Sequence, residues 1–225
     1  TQAGGKLDPE LSAEFVDICS KKHIKFYVMY GQTEASPRMS YLPWEFARTK
    51  LGSIGVPIPG GRFWLEDENG NTINNTDEPG ELVYEGDNVS LGYAESYKDL
   101  CHGDENKGVL RTGDIAKRDF DGFYYIVGRK RRFLKFFGNR VNLDAVENLI
   151  KELGYDCACN GTDDNLKIYL TNIAGIDEIK NQLTETIKIS KKVITFLYID
   201  KIPRNDSGKI MYSLLDKNTN NIGNV

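Results

Sequence analysis

Between residues 51 and 127 short strand-like runs, RFWLE, GELVYE and FYYIV, alternate with turn signals, DENGN, DEPG and DFDG. Runs rich in β-branched and aromatic residues, punctuated by Gly, Asn and Asp, read as a small, mostly antiparallel β unit. Ahead of it, residues 9–22 read as an amphipathic helix. Pro9 suits its first turn, and Leu11, Phe15, Ile18 and Cys19 share a face. The run IKFYVMY, ending at a glycine, reads as a buried strand.

After Arg129 the pattern changes. RFLKFFG reads as a strand, and NLDAVENLIKELG as a helix with Asn142 as its cap and Gly154 as its stop. A strand (NLKIYLT), a helix (IDEIKNQLTETIK), a strand (KKVITFLYI) and a polar loop (PRNDSGK) follow. The tail, DKNTNNIGNV, is expected to fray. The expected fold class is α+β, in two domains, 1–129 and 130–225, divided near 128–131.

The dividing stretch, GRKRRFLKFFGNR, gathers Arg129, Lys130, Arg131, Arg132, Lys135 and Arg140 without one acid. Alone it suits a polyanion. The whole chain of 225 residues carries a net charge of −4, which argues against nucleic acid as the partner. No apolar run has the length of a membrane span, and the polar start, TQAGGKLDPE, carries no secretory pattern. Cys19, Cys101, Cys157 and Cys159 lack zinc-site spacing. They read as reduced thiols of a cytoplasmic protein.

Three segments can carry chemistry. In YGQTEAS (30–36), Tyr30 offers a flat face, Thr33 a hydroxyl for a phosphate and Glu34 a hard oxygen for Mg²⁺. An ordinary turn with a half-buried tyrosine would read the same way. In RTGD (111–114), Asp114 after a tight Gly turn can accept two hydroxyl donors. It can equally satisfy local amides. PRNDSGK (203–209) carries Lys209 but is no Walker loop, since Pro203 stands where that pattern needs Gly. A lone loop lysine is usually solvated.

Taken in order, a Gly-Gly loop (Gly4, Gly5), Y-G-x-T-E, G-E-L with G-Y, T-G-D, G-R-x-x with K-x-x-G-x-R-V, and P-R with S-G-K make a specific series along nearly the whole chain. The series resembles the acyl-adenylate-forming superfamily of acyl-CoA synthetases, firefly luciferase and the adenylation domains of nonribosomal peptide synthetases. It corresponds to the C-terminal part of such an enzyme. The resemblance implies the end of a large AMP-binding domain, including a small antiparallel β subdomain, followed by a mobile α+β lid domain.

The resemblance also implies roles. Tyr30 would stack on adenine, with Gly31 beside it and Gly5 in a loop lining the base. Thr33 would contact phosphate, and Glu34 would associate with Mg²⁺. Asp114 would hold the ribose hydroxyls, with Arg129 as a second contact. Lys209 would reach the α-phosphate during adenylation. Lys135 and Gly138 would line the path of the thiol, and Arg131 would be the hinge. The implied substrates are ATP, a small carboxylic acid and coenzyme A, with an acyl-carrier protein as the alternative acceptor. A non-catalytic nucleotide-binding or interaction fragment is the competing class. Two departures stand out. The family's phosphate loop and most of its acid pocket would lie upstream of residue 1, so the chain is expected to be a fragment that does not complete adenylation alone. Position 212 is Tyr, where many members carry Arg.

Overall fold

The computed structural model describes residues 1–5, 7–206, 208–218 and 220–221. The chain forms two compact units, Thr1–Lys130 and Arg131–Val225.

The first unit opens with α1 (Pro9–Lys21), whose N-cap Asp8 accepts from the amides of Glu10 and Leu11. The helix turns Ser12 and Val16 inward and packs Cys19 beside Phe26 and Leu42. Leu11, Phe15 and Ile18, the larger part of the face seen in the sequence, stay exposed. Strands β1 (Val28–Gly31), β2 (Arg38–Leu42) and β3 (Val56–Pro57) form a small antiparallel sheet. The larger sheet holds β4 (Arg62–Glu66), β5 (Thr72–Ile73), β6 (Gly80–Glu85), β7 (Val109–Arg118) and β8 (Tyr124–Arg129), in the order β5-β4-β6-β7-β8. All its pairings are antiparallel. Alternate residues of these strands face one core of Phe63, Leu65, Leu82, Tyr84, Ala116 and Tyr124, with Ala35 and Met39 packed against them. Phe63 lies edge-on to Tyr84 and to Tyr124, with ring centroids 5.4 and 5.2 Å apart.

RTGD is not a turn between strands. It lies inside the ten-residue β7, where the register against β6 shifts between Glu81 and Val83. Gly113 sits there at φ +68°, so the positive φ read as a turn belongs to a β-bulge.

In the second unit a hairpin of β9 (Phe133–Phe136) and β10 (Asn139–Asn142) leads into α2 (Leu143–Glu152). The Asn142 side chain accepts from the Asp144 amide, and Gly154 follows the helix at φ +89°. A mixed sheet follows, β11 (Cys157–Thr162), β12 (Asn165–Leu170) and β13 (Ile194–Tyr198), with β12 and β13 parallel. The crossover between them carries α3 (Ile176–Gln182), which continues as one wider π-type turn. Val146, Ile150, Ile168, Leu170, Ile179 and Leu183 fill the core between helices and sheet. Asn220 and Asn221, β14, pair with β13, so part of the tail expected to fray returns to the sheet. Thr219 and residues 222–225 of that tail, and Ser207 in the lysine loop, lie outside the described residues.

Candidate functional site

The bulge in β7 sets the centre of the site. Asp114 is the direct cross-strand partner of Arg129, and Arg129 Nε lies 3.1 Å from Asp114 Oδ1. On the other side, Tyr30 Oη donates to Asp114 Oδ2 at 2.6 Å, and Gln32 Nε2 donates to the same oxygen at 3.0 Å. Gln32 Nε2 also lies 3.0 Å from the Thr112 carbonyl. Thr112 Oγ1 locks the bulge by donating to the Leu82 carbonyl and accepting from the Asp114 amide. The Asp114 carboxylate is thus buried yet held by three donors. An ionised carboxylate offers about four lone-pair sites, so capacity for another donor remains. Arg129, whose side chain is 69% exposed, is the contact that can give way to a ligand.

Burial raises the Tyr30 phenol well above its ordinary value, and the Asp114 charge adds to this. The phenol is a permanent donor at neutral pH, and Asp114 its fixed acceptor.

Gly31 closes the loop from β1 into the turn Thr33–Ala35. A Cβ there would lie 1.6 Å from the Pro37 carbonyl oxygen, so only glycine fits. Thr33 is exposed at the head of the turn. Tyr93 Oη donates to Glu34 Oε1 at 2.5 Å, and this hydrogen bond is the main cause holding the Glu34 carboxyl below its usual range. Gln2 pairs in parallel with Val28, and Gly4 and Gly5 follow in a bend.

Tyr30, Gly31, Thr33, Glu34, Asp114 and Arg129 all belong to the first unit, on the ends of β1 and β8, the turn after β1 and the bulge within β7. Lys135, Gly138 and Lys209 belong to the second. Lys135 is exposed on β9, and Gly138, at φ +85°, closes the two-residue hairpin with Phe137 at φ +47°. Lys209 is exposed on a loop whose Asn205 caps it, accepting the Lys209 amide on its side chain. Arg131 is exposed and is the first residue of the second unit.

Sequence reading missed Gln32 and Tyr93. Gln32 stands at the variable position inside Y-G-x-T-E, and Tyr93 entered only as half of a G-Y pair. Only folding brings them to Asp114 and Glu34.

The Tyr93 contact gives a pH signature. A lowered carboxyl value means the contact stabilises the chain above the ordinary glutamate range, and the gain is lost as pH falls through the lowered value. Tyr93→Phe should move the Glu34 titration upward, toward the ordinary range. Carboxyl-carbon NMR of the chain reads this; an unmoved titration would remove Tyr93 as the cause.

Among the described residues no group of three His, Cys, Asp or Glu side chains could hold an ion. Glu34 alone still fits Mg²⁺, which is usually held by one or two carboxylates with phosphates and water. Among the described residues no helix is long and apolar enough to cross a membrane.

Residues 1–94 match the AMP-binding enzyme family. A 2-succinylbenzoate–CoA ligase of Geobacillus sp. (strain WCH70) is 27% identical over 210 residues, covering 87% of this chain and 42% of the relative. A long-chain-fatty-acid–CoA ligase of Yersinia pestis is 37% identical over 147 residues, covering 65% of this chain and 25% of the relative. The solved O-succinylbenzoate coenzyme A synthetase of Bacillus subtilis, in complex with AMP, superposes with a TM-score of 0.68 at 24% identity, over 95% of this chain and 45% of that one. The chain spans less than half the length of these relatives.

Fold and comparisons together define an adenylating α+β architecture, in the portion toward the C-terminus of such enzymes. The chain belongs to the acyl-adenylate-forming superfamily.

Proposed function

We propose that the chain is part of an ATP-dependent acid–thiol ligase that activates a carboxylic acid and transfers the acyl group to coenzyme A. In the first half-reaction a carboxylate oxygen bonds to the α-phosphorus of ATP and pyrophosphate leaves. In the second, the thiol sulfur bonds to the acyl carbon and AMP leaves. The observation that carries this reading is the Asp114 cluster. A buried carboxylate fixed by Tyr30 and Gln32, with exposed Arg129 as its one movable partner, suits a cis-diol that donates two hydroxyls.

In this reading Tyr30 presents its ring to the base while its hydroxyl holds Asp114. Thr33 donates to phosphate, and Gly31 and Gly5 keep backbone close to the nucleotide. Mg²⁺ held by Glu34 and the phosphates would neutralise charge during adenylyl transfer. Lys209 supplies a further positive group at the α-phosphate, where positioning and charge neutralisation do most of the work. The hairpin of Lys135 and Gly138 serves the thiol in the second step. Arg131 is the hinge that lets the second unit present each element in turn.

Acid-dependent exchange of pyrophosphate into ATP by the full-length protein tests the reading. A hinge variant tests its two-step form. Arg131→Pro fixes φ near −65° and restricts Lys130 as well. It should leave adenylation in place and slow thioester formation about tenfold or more. Equal loss of both half-reactions would place the hinge elsewhere.

A further inference from the structure

We infer that Arg132 is a positioning residue: its guanidinium ties the chain just after the hinge to the segment that holds Lys209. The inference rests on the function proposed above and concerns contacts inside the second unit alone. Arg132 Nε donates to Asp144 Oδ1 at 2.8 Å, and Nη2 to Glu147 Oε1 at 2.6 Å, both on α2. Its Nη1 donates to the Cys159 carbonyl on β11 at 2.6 Å. The face of the same guanidinium lies 4.0 Å from the Tyr212 ring centre. Tyr212 Oη in turn donates to Glu147 Oε2 at 3.1 Å, and the Cys159 amide donates to Glu147 Oε1 at 2.8 Å.

Glu147 is 4% exposed and every contact is satisfied, so the group behaves as one rigid piece. Arg132 is the first residue after the hinge, and Tyr212 the third after Lys209. A planar fork that stacks as well as donates is something lysine does not offer.

Ile202 and Ile210 flank the Lys209 loop and pack with Tyr169, Leu197 and Leu215, while the loop between them carries local bonds. Asn205 amide donates to the Lys209 carbonyl, Gly208 amide to the Asn205 carbonyl, and Met211 amide to the Pro203 carbonyl. Arg204 reaches Asp156 at the surface. The hairpin of Lys135 and Gly138 is anchored separately. Asp163 accepts the Lys135 amide and Asp164 the Phe137 amide. Loss of Arg132 should therefore loosen the adenylation loop and spare the thiol hairpin.

The test uses the full-length protein with Arg132→Met, Tyr212→Phe, and Arg132→Met combined with Tyr212→Arg. Arg132→Met should lower pyrophosphate exchange about 10²-fold, as misplacement of a catalytic group does. Thioester formation from supplied acyl-adenylate should stay within about threefold. Amide hydrogen exchange at Asn205, Gly208, Lys209 and Met211 should speed up roughly tenfold while β12 amides hold their rates. Tyr212→Phe, which keeps the stack and loses only the Glu147 contact, should show the same loop signature more weakly. The combined variant returns a guanidinium to Glu147 and should recover most of the exchange activity. Unchanged loop amides in Arg132→Met, equal loss of both half-reactions, or β12 amides accelerating with the loop would overturn the inference. Wild-type protein without pyrophosphate exchange would refute the proposed ligase, while the hydrogen-exchange arm would still decide the tether.

Discussion

If the proposed function holds, replacing Lys209 with alanine in the full-length protein should cut acid-dependent adenylation by about 10²–10³ while leaving thioester formation from supplied acyl-adenylate nearly intact. The magnitude is that of removing one group aimed at charge developing in a transition state. The selectivity follows from chemistry. Adenylyl transfer concentrates negative charge on the phosphates, and an ammonium there neutralises it; attack of a thiol on the acyl carbon makes no such demand. The loop also suits the role. Lys209 is exposed, its amide is capped by the Asn205 side chain, and its carbonyl accepts from the Asn205 amide. The backbone is held while the side chain stays in water. Alanine removes the charge without disturbing those backbone bonds, so a fall confined to pyrophosphate exchange is the result to look for. A fall of equal size in both half-reactions would show that Lys209 does not act at adenylation alone.

Gly31→Ala should be strongly damaging to the first unit. The new Cβ would meet the Pro37 carbonyl oxygen at 1.6 Å and its carbon at 2.7 Å, both backbone atoms that cannot step aside. Relief requires parting β1 from β2 at the irregularity where Gly31 faces Arg38. That movement carries Tyr30 and Gln32 away from Asp114. A cost above about 4 kcal/mol is in keeping with forced backbone strain, and for a chain of this size it lowers Tm by roughly 10 °C. Gly5→Ala provides the comparison, because its Cβ would meet nothing within 4 Å. Its melt should match the parent within about 0.5 kcal/mol. If both variants melt like the parent, the close approach at Gly31 is not what keeps glycine there.

Local rules carried the parts of this fold that local chemistry decides. Asn142 and Gly154 bracket α2 because a cap and a left-handed stop are single-residue devices. The runs RFWLE and GELVYE became strands with those limits. Where neighbours decide, periodicity misled. The apolar face of α1 is read at Leu11, Phe15 and Ile18, yet the helix buries Ser12 and Val16, because Phe26 and Leu42 meet it there. Gly113 marked a positive φ correctly, but whether that means a turn or a bulge depends on β6 across the sheet. The Cys157-x-Cys159 pair lies on a buried strand, with both side chains in the core.

The site divides in the same way. Tyr30, Glu34 and Asp114 were legible as residue types that suit a nucleotide, and Arg129 through the family resemblance. Gln32 was not, since an amide at a variable position has no signature until the bulge brings Thr112 and Asp114 to it. Arg132 was one charge among several in a basic run. Its distinction from Lys130 appears only in the partners, Glu81 on β6 for Lys130 and the α2 acids for Arg132. The positive charge of 128–140 is thus spent largely on intramolecular acids on either side of Arg131.

The most direct measurement of the central claim is pyrophosphate exchange into ATP by the full-length protein, with Mg²⁺ and a panel of carboxylic acids, for wild type and Asp114→Ala. The account predicts exchange that depends on one class of acid and falls about 10²-fold or more in the variant, as loss of a positioning contact to the nucleotide does. Exchange absent with every acid, or undiminished in Asp114→Ala, would contradict it.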